Sequence, residues 1–307
     1  MLMESNGFYA EINLPDAPEG DGIHALPPYN KQDVYLVDEY KNCPNNWPRN
    51  TNKISSYFIP IVPNKHMWLD FNENIKNQND VAIIINVQGI NPITGQKPNL
   101  KLEQYHDICP IHNTKFENDR NCHKCGYKWP AQNYISTVST PLGQLWIDGW
   151  RTQNGEIRGF LTTEETTRGI ASQLIGDDKV YAISIAFFKS LKPKPIFKKD
   201  DLRYSKNAEL YYDVNQSVTC QYNNDVLRGG ILKAASSSKQ IEIGAGVKIK
   251  QELSYYDNSS LKDYESEPSG IIYINYCTIN DFNQIIKSGR TSTTKIDGYL
   301  SGLKIGN

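Results

Sequence analysis

The sequence Cys109-Pro-Ile-His112, nine further residues and then Cys122-His-Lys-Cys125-Gly126 contains two pairs of potential metal ligands. Two residues separate the ligands within each pair, and the pairs face each other across a loop. Thiolates and a neutral imidazole at this spacing suit one tetrahedral Zn²⁺, with bonds of about 2.3 Å to sulfur and about 2.0–2.1 Å to nitrogen. We therefore expect Cys109, His112, Cys122 and Cys125 to bind one zinc ion.

Residues 105–130 resemble a zinc-ribbon or rubredoxin-type knuckle module, and the Cys-x-x-Cys-Gly half at 122–126 is the most specific part of the resemblance. His112 stands where the usual four-cysteine ribbon has a thiolate, which makes metal binding more sensitive to acid. A closed set of four ligands leaves no open position for a substrate, so the zinc is predicted to be structural. No family is recognised for the rest of the chain.

Two other interpretations of this stretch stay open. The four residues could be unrelated polar side chains in a loop, or Cys122 and Cys125 could form a disulfide. His106 and His123 are further candidates beside the motif, and His123 is expected to point outward.

Composition limits the class of protein. The chain has 307 residues, which is enough for one large domain or two ordinary ones. Its formal net charge is −1 and its pI is about 6.5, which argues against bulk electrostatic attachment to nucleic acid or to an anionic membrane. With 38% hydrophobic residues, the chain can build a core.

Cellular location is predicted from what the sequence lacks. No signal peptide is visible, and no apolar run approaches the roughly 20 residues that a membrane helix needs. Three of the six cysteines belong to the metal motif, which suits a reducing compartment and leaves Cys43, Cys220 and Cys277 as free thiols. We expect a cytoplasmic protein, or one within an intracellularly assembled particle, with no membrane contact.

Residues 1–50 are rich in proline and show little periodicity, so they are predicted to form an extended N-terminal arm. Aromatic residues would anchor this arm on the same subunit or on a neighbour, and they are Phe8, Tyr29, Tyr35 and Trp47. A mobile tail is the alternative.

A β-rich core is predicted for 51–104 and 131–190, with the zinc ribbon at 105–130 inserted between its strands. The runs at 81–88 and 180–188 are apolar on both faces, which is typical of strands covered on both sides. Asn154-Gly155 predicts a hairpin turn. Thr162 and Glu165 match a capping box for a helix that would end at Gly176.

The C-terminal part, 191–307, is predicted to be β-rich and to belong to the same or a second domain. It contains a possible hairpin around Gly244-Ala245-Gly246, a strand at 271–276 and a short helix from Asn280 to Gly289. The predicted fold class is therefore α+β and β-rich: an antiparallel β-sandwich-like core with an inserted zinc ribbon and one or two short helices.

One internal echo relates two parts of the predicted core. Pro63-x₄-Trp68-Leu69-Asp70 and Pro141-x₄-Trp146-Ile147-Asp148 share spacing and residue types. A duplicated β unit would explain the match, and so would the ordinary recurrence of Trp and Asp at strand ends. If the echo is real, Asp70 and Asp148 could be symmetric carboxylates, although turn capping or pairing with arginines such as Arg151 is the simpler expectation.

No catalytic motif accompanies these features. A Gly-x-Ser-x-Gly elbow, a Walker A loop and a His-Glu-x-x-His helix are all missing from the sequence. His24 and His66 are the remaining candidates for a general base, and a Cys43–His66 pair has no local signature. We therefore predict no catalytic residues and a protein that is not an enzyme.

Three hypotheses on function follow. The first is a structural, assembly or interaction protein that contacts other protein subunits, including copies of itself through the arm. The second is a nucleic-acid-associated zinc-ribbon protein that uses the basic segment at 189–206 with Lys124 and Lys128, while Tyr127 or Trp129 stacks on a base. The third is an enzyme with an unrecognised site.

Overall fold

The computed structural model describes residues 2–77, 80–137, 145–164, 169–175, 180–192, 241–251, 253, 257, 259–287 and 289. Within them the chain forms fourteen strands and three short α-helices. The strands are β1 (Met3–Ser5), β2 (Phe8–Asn13), β3 (Ile23–His24), β4 (Tyr35–Leu36), β5 (Ile54–Pro60), β6 (His66–Asp70), β7 (Val81–Val87), β8 (Ile135–Ser136), β9 (Trp146–Ile147), β10 (Gly149–Arg151), β11 (Ile157–Thr163), β12 (Ala182–Lys189), β13 (Glu242–Ile249) and β14 (Gly270–Cys277). The helices are α1 (Asn72–Lys76), α2 (Ile170–Leu174) and α3 (Ile279–Lys287). The predicted β-rich α+β class is confirmed.

The strands form two sheets. The first has eight strands in the order β1-β2-β6-β11-β13-β3, with β9 also paired to β6 and β10 to β11. The second has six strands in the order β4-β5-β14-β12-β7-β8. Every residue of β7 is buried, and β12 lies between β14 and β7, so the two apolar runs form interior strands as predicted.

Both sheets are mixed, which corrects the expectation of an antiparallel core. β14 pairs in parallel with β5, and β13 pairs in parallel with β3. The partners in each pair are far apart in the sequence, so no tight hairpin connects them and forces them to run in opposite directions.

One hydrophobic core joins the two sheets. Its largest cluster takes side chains from both, and the rings of Phe8 on β2 and Phe187 on β12 stack with their centroids 5.4 Å apart. Phe71, which follows β6, meets Phe187 edge-on at 6.4 Å. The sandwich arrangement of the sheets stays a prediction.

The N-terminal fifty residues contribute four strands to these sheets, β1 to β3 in the first and β4 in the second. All four predicted aromatic anchors contact aromatic rings of the same chain. Phe8 stacks on Phe187, and Tyr35 and Trp47 pack against Phe58 with centroids 5.5 and 5.6 Å away. Tyr29 meets Trp68 edge-on. The N-terminal fifty residues therefore form part of the folded core.

The C-terminal helix is present as predicted, and α2 (Ile170–Leu174) lies within the helix predicted between Thr162 and Gly176, although no helix begins at Thr162. α3 buries Ile285 and follows Thr278, whose hydroxyl accepts a hydrogen bond from the amide of Asp281. Thr162 does not cap a helix but lies buried in β11, where its hydroxyl donates to the Val62 carbonyl and accepts from the Lys65 amide. These tertiary partners outweigh the local capping preference, while Glu165 and Gly176 lie outside the described residues. No helix in the described part of the chain is long and apolar enough to cross a membrane.

The expected hairpin at Gly244-Ala245-Gly246 is also wrong, because these residues continue through β13. Gly246 is closely packed there, since a Cβ would meet the Gly159 carbonyl oxygen at 3.2 Å and the Leu161 Cβ at 3.3 Å. The hairpin at Asn154-Gly155 is confirmed: β10 and β11 pair across it in antiparallel register.

The two echo segments are neighbours in space. β6 pairs with β9 so that Leu69 is opposite Ile147 and Asp70 is opposite Trp146. Pro141, the first residue of the second segment, lies outside the described residues. This pairing is compatible with a duplicated β unit and with the ordinary recurrence of Trp and Asp at strand ends, because matched strand ends pack together in both cases.

Gly149 is predicted to be intolerant of a side chain. A Cβ there would lie 2.3 Å from the Arg158 carbonyl oxygen, which belongs to the backbone and cannot rotate away. We expect Gly149→Ala to lower the free energy of unfolding by about 1–3 kcal/mol, as overpacking does. Urea denaturation measures this, with Gly22→Ala as the control because its nearest atom would be 3.8 Å away. Equal stability of both variants and the parent would contradict the prediction.

Candidate metal centre

The four predicted ligands converge in space. One donor atom from each of Cys109, His112, Cys122 and Cys125 lies within 4.8 Å of all the others. His112 Nδ1 is 3.6 Å from Cys109 Sγ and 3.5 Å from Cys122 Sγ. The residues could therefore bind a metal ion, as the spacing in the sequence predicted.

Two turns of the same design present these ligands. In the first, the Cys109 amide donates to the Thr114 carbonyl and Asn113 donates to the Cys109 carbonyl. In the second, the Cys122 amide donates to Tyr127 and Gly126 donates to Cys122 in the same pattern. Asn113 and Gly126 occupy the same turn position and both have a positive φ, of 51° and 65°. The chain therefore contains two equivalent knuckles, which place His112 and Cys125 in matching positions.

The environment of the sulfurs favours a charged form at Cys122. Burial opposes its ionisation, but hydrogen bonds from the backbone amides of Cys125 and Lys124 and from the Thr114 hydroxyl lower the pKa of Cys122 to about 5. The Thr114 oxygen is 3.6 Å from this sulfur. Burial raises the pKa of Cys109. Backbone amides that donate hydrogen bonds to a ligand sulfur commonly stabilise a thiolate–metal bond.

A small aromatic core lies beneath the ligands. Trp129 is buried against Cys109 and Cys122, with Tyr105 and Tyr127 meeting its ring edge-on at centroid distances of 5.3 and 4.9 Å. The cluster is small, so apolar burial supplies little of the stability of this segment. A metal bond between its two knuckles would supply the rest.

Arg120 joins the two ends of the segment. Its guanidinium donates to the carbonyls of Tyr105, His106, Trp129 and Pro130. It sits over the ring of Phe116 at 5.0 Å, and its own backbone has a φ of 62°. No local sequence pattern marks this role, because the carbonyl partners of the arginine lie on both sides of a loop.

The segment is tied to the sheets at its base. Tyr105 donates its amide to Ala131, and Gln104 and Gln132 form a bridge, so the chain leaves and returns at adjacent points. The same two glutamines belong to a buried network around Asp257, whose carboxylate accepts hydrogen bonds from Tyr134 and Tyr264 at 2.9 and 2.7 Å. Residues 105–130 are therefore held to the body of the protein by polar contacts.

The second knuckle also rests on the β10–β11 hairpin. Gln153 donates its side-chain amide to the Cys125 carbonyl at 3.1 Å, and its own carbonyl accepts from the Lys128 amide. Arg151 donates to the Lys128 carbonyl and lies 5.8 Å from the Tyr127 ring. Arg151, expected to pair with a carboxylate, therefore supports the knuckle.

The other residues that the sequence suggested as metal ligands or functional carboxylates lie outside the four-ligand cluster. His123 is partly exposed and lies 3.9 Å from Glu117, and neither His123 nor His106 belongs to the four-ligand cluster. Asp70 accepts hydrogen bonds from the Asn72 amide and the Tyr29 hydroxyl, so it has the capping role that was the simpler expectation. Asp148 is buried, and its Oδ1 has no hydrogen-bond partner in the described part of the chain.

The sequence also suggested His66 as a general base and Cys43 as its possible partner. His66 on β6 is buried, and burial lowers its pKa to about 4, with a smaller contribution from His24. Cys43 packs in a separate aromatic cluster with Val37, Tyr40 and Phe58. His66 therefore has the neutral form at neutral pH.

Comparison with descriptions of protein families finds no match. Comparison with curated proteins and with solved structures also finds none. The function is therefore inferred from the geometry of this chain.

Proposed function

We propose that this protein is a structural or assembly protein, a subunit of a larger complex, whose residues 105–130 form a zinc-ribbon-like module around one structural Zn²⁺. The observation that carries the proposal is the convergence of three thiols and one imidazole from two equivalent knuckles. Zinc bond lengths at a tetrahedral angle separate sulfur from nitrogen by about 3.6 Å. The two measured distances from His112 Nδ1, 3.6 and 3.5 Å, agree with that value.

A structural role for the ion follows from the number of ligands. Four protein donors complete the tetrahedral shell, so no position remains for water or a substrate. Cys109 and Cys122 are buried, which keeps the sulfurs from solvent. When bound, the ion would join two knuckles whose own apolar core is small.

Exposed apolar residues on the module support a role in protein contacts. Ile108 precedes the first ligand pair and Ile111 lies within it, and these side chains are 46% and 59% exposed. The fully buried core of a protein interface is more apolar than the rest of a protein surface. The shared core and the Phe8–Phe187 stack also support the proposal that the two sheets form a sandwich.

The alternatives have less support. Trp129 is 2% exposed and Tyr127 donates to the Thr94 carbonyl, so stacking on a base would require them to leave the module core. Lys128 pairs with Asp119, and most of the basic segment 189–206 lies outside the described residues. An enzyme would need a site of converging groups, and no observation favours one over the structural role.

Sedimentation tests the assembly role directly. In a gradient of lysate from cells that make the protein natively, we expect the chain to migrate with a particle much heavier than its own 34.9 kDa. Deleting residues 1–50 is unsuitable for this purpose, because β1, β2 and β4 belong to the sheets. Migration as a free 34.9 kDa monomer in the native lysate would contradict the proposal.

A further inference from the structure

A cavity of about 480 Å³ lies between the first sheet and the N-terminal chain. His66 on β6 and Leu161 on β11 are directly opposite each other, so their side chains share one face of the sheet, and both line the cavity. Phe160 and Met67 lie on the other face, where they belong to the hydrophobic core. The walls of the cavity come from residues 16–19 and from Asn64.

The charged groups that line this cavity are negative. They are the carboxylates of Asp16 and Glu19, and no basic side chain is among the lining residues. Lys65 forms an ion pair with Asp16 from outside the lining. No ion pair joins Glu19 to a base in the described part of the chain, so the cavity keeps the charge of one exposed carboxylate.

His66 gives a second indication of a ligand, independent of the acids. Its imidazole is 2% exposed and lines the cavity, and no described residue forms a hydrogen bond with either ring nitrogen. Burial lowers the pKa of His66 to about 4, so the ring is neutral at neutral pH. A neutral imidazole has one nitrogen that accepts a hydrogen bond, and it does not repel a cation. Buried polar groups normally have partners, so this ring has capacity for one more.

The imidazole fits this face because residue 159 has no side chain. A Cβ on Gly159 would lie 2.5 Å from Cε1 of His66 and 2.9 Å from its Nδ1. The ring therefore occupies the space above β11 that another residue would fill. The position of His66 beside the cavity is set by the strands and not by a mobile loop.

Aliphatic side chains form the rest of the site. Leu161 and Val247 are half-buried and line the cavity. Two exposed aliphatic residues lie close by in the chain: Val62 is 36% exposed and precedes Asn64 by two residues, and Ile23 is 48% exposed on β3, which pairs with β13 beside Val247. A protein that inserted a side chain into the cavity could also cover these two residues.

We propose that this cavity binds a lysine or arginine side chain of a partner protein. The ammonium or guanidinium group donates to the Glu19 carboxylate, with the neutral imidazole of His66 as a further acceptor. The aliphatic part of the side chain packs on Leu161 and Val247. The proposal rests on the proposed function, because it identifies a contact surface of the protein and the chemistry of its partner.

Amino acids capped as Nα-acetyl amides test the preference for charge by NMR titration of the full-length protein. We expect the lysine and arginine derivatives to shift the methyl resonances of Leu161. The norleucine derivative, which has an aliphatic chain but no charge, should bind about tenfold more weakly because charge-assisted hydrogen bonds are lost. The methyl resonances of Leu261, which is exposed and does not line the cavity, should not move.

Several results of this titration would overturn the proposal. They are equal affinity for lysine and norleucine, preference for the glutamate derivative, and no shift at Leu161. Binding of 1,5-diaminopentane about tenfold tighter than the lysine derivative would also overturn it, because the site would then be one for a free diamine.

Variants of an exposed residue locate the binding without disturbing the fold. Glu19→Gln should weaken binding of the lysine derivative by about tenfold, and Glu19→Lys should abolish it. Glu267→Gln and Glu267→Lys are matched controls, since Glu267 is exposed and does not line the cavity, and they should leave binding unchanged. Equal affinity of the Glu19 and Glu267 variants would overturn the proposal.

These experiments separate the cavity from the assembly role. If the chain migrates with a heavy particle in native lysate but the parent binds neither basic derivative, the cavity proposal fails and the assembly role stands. If the chain migrates as a monomer but binds lysine through Glu19, the assembly role fails and the cavity remains a site for basic side chains.

Discussion

Removal of zinc is expected to unfold residues 105–130 and to leave the two sheets folded. Structural zinc sites of peptide size derive about 10–16 kcal/mol of apparent folding free energy from the metal at neutral pH. The apolar core of this module is limited to Trp129, the ligand cysteines and a few partly buried side chains, so it cannot replace that contribution. The sheets have their own core and share no ligand with the module.

Amide hydrogen exchange measures this prediction. After chelation, or in Cys122→Ser, the amides of Asn113 and Gly126 should lose protection, because they are bonded only within the knuckles. The amides of β7 should keep theirs. Cys277→Ser is the matched control, since Cys277 is a half-buried free cysteine outside the cluster. Knuckle amides that stay protected after complete chelation would contradict the expectation.

Asp148 is expected to make the protein less stable as pH rises. Burial raises the pKa of this carboxyl to about 8 from its ordinary 3.8, because the side chain is removed from water. The folded state therefore holds a proton that the unfolded state releases. The resulting stability is fully present below about pH 4 and is lost as pH increases to about 8, an effect on the order of 5 kcal/mol at most.

Asp148→Asn tests this, because asparagine cannot ionise. The free energy of unfolding of the variant minus that of the parent should increase from pH 4 to pH 8. Any effect of the new amide itself is the same at both ends of this range, so only the increase between them is compared. Asp33→Asn at an exposed position is the control and should follow the parent over the same range. Parallel pH profiles for Asp148→Asn and the parent would contradict the assignment of a protonated buried carboxyl.

The sequence predicted the elements that have a strong local signal. The apolar runs at 81–88 and 180–188 became β7 and β12 because only strands with both faces covered tolerate such composition. The helix at Ile279–Lys287 has one apolar face and ends near Gly289, so its pattern could be read directly. The four ligands converge because two short turns of equal spacing can form equivalent knuckles.

Other features depend on partners that are distant in the sequence. Thr162 matches a capping box, but hydrogen bonds to Val62 and Lys65 hold it in a strand. Gly246 suggests a turn, although it lies within a strand, where Gly159 and Leu161 approach it closely from a neighbouring strand. The parallel pairing of β5 with β14 likewise has no local signal, since long connections permit either direction.

Metal analysis of the purified full-length chain, combined with X-ray absorption at the zinc edge, tests the central claim most directly. The account predicts one zinc per chain, surrounded by three sulfur atoms at about 2.3 Å and one nitrogen at about 2.0–2.1 Å. Replacing His112 by alanine should remove the nitrogen from that shell. A chain purified without chelators that contains no zinc, or that contains a disulfide between Cys122 and Cys125, would contradict the account.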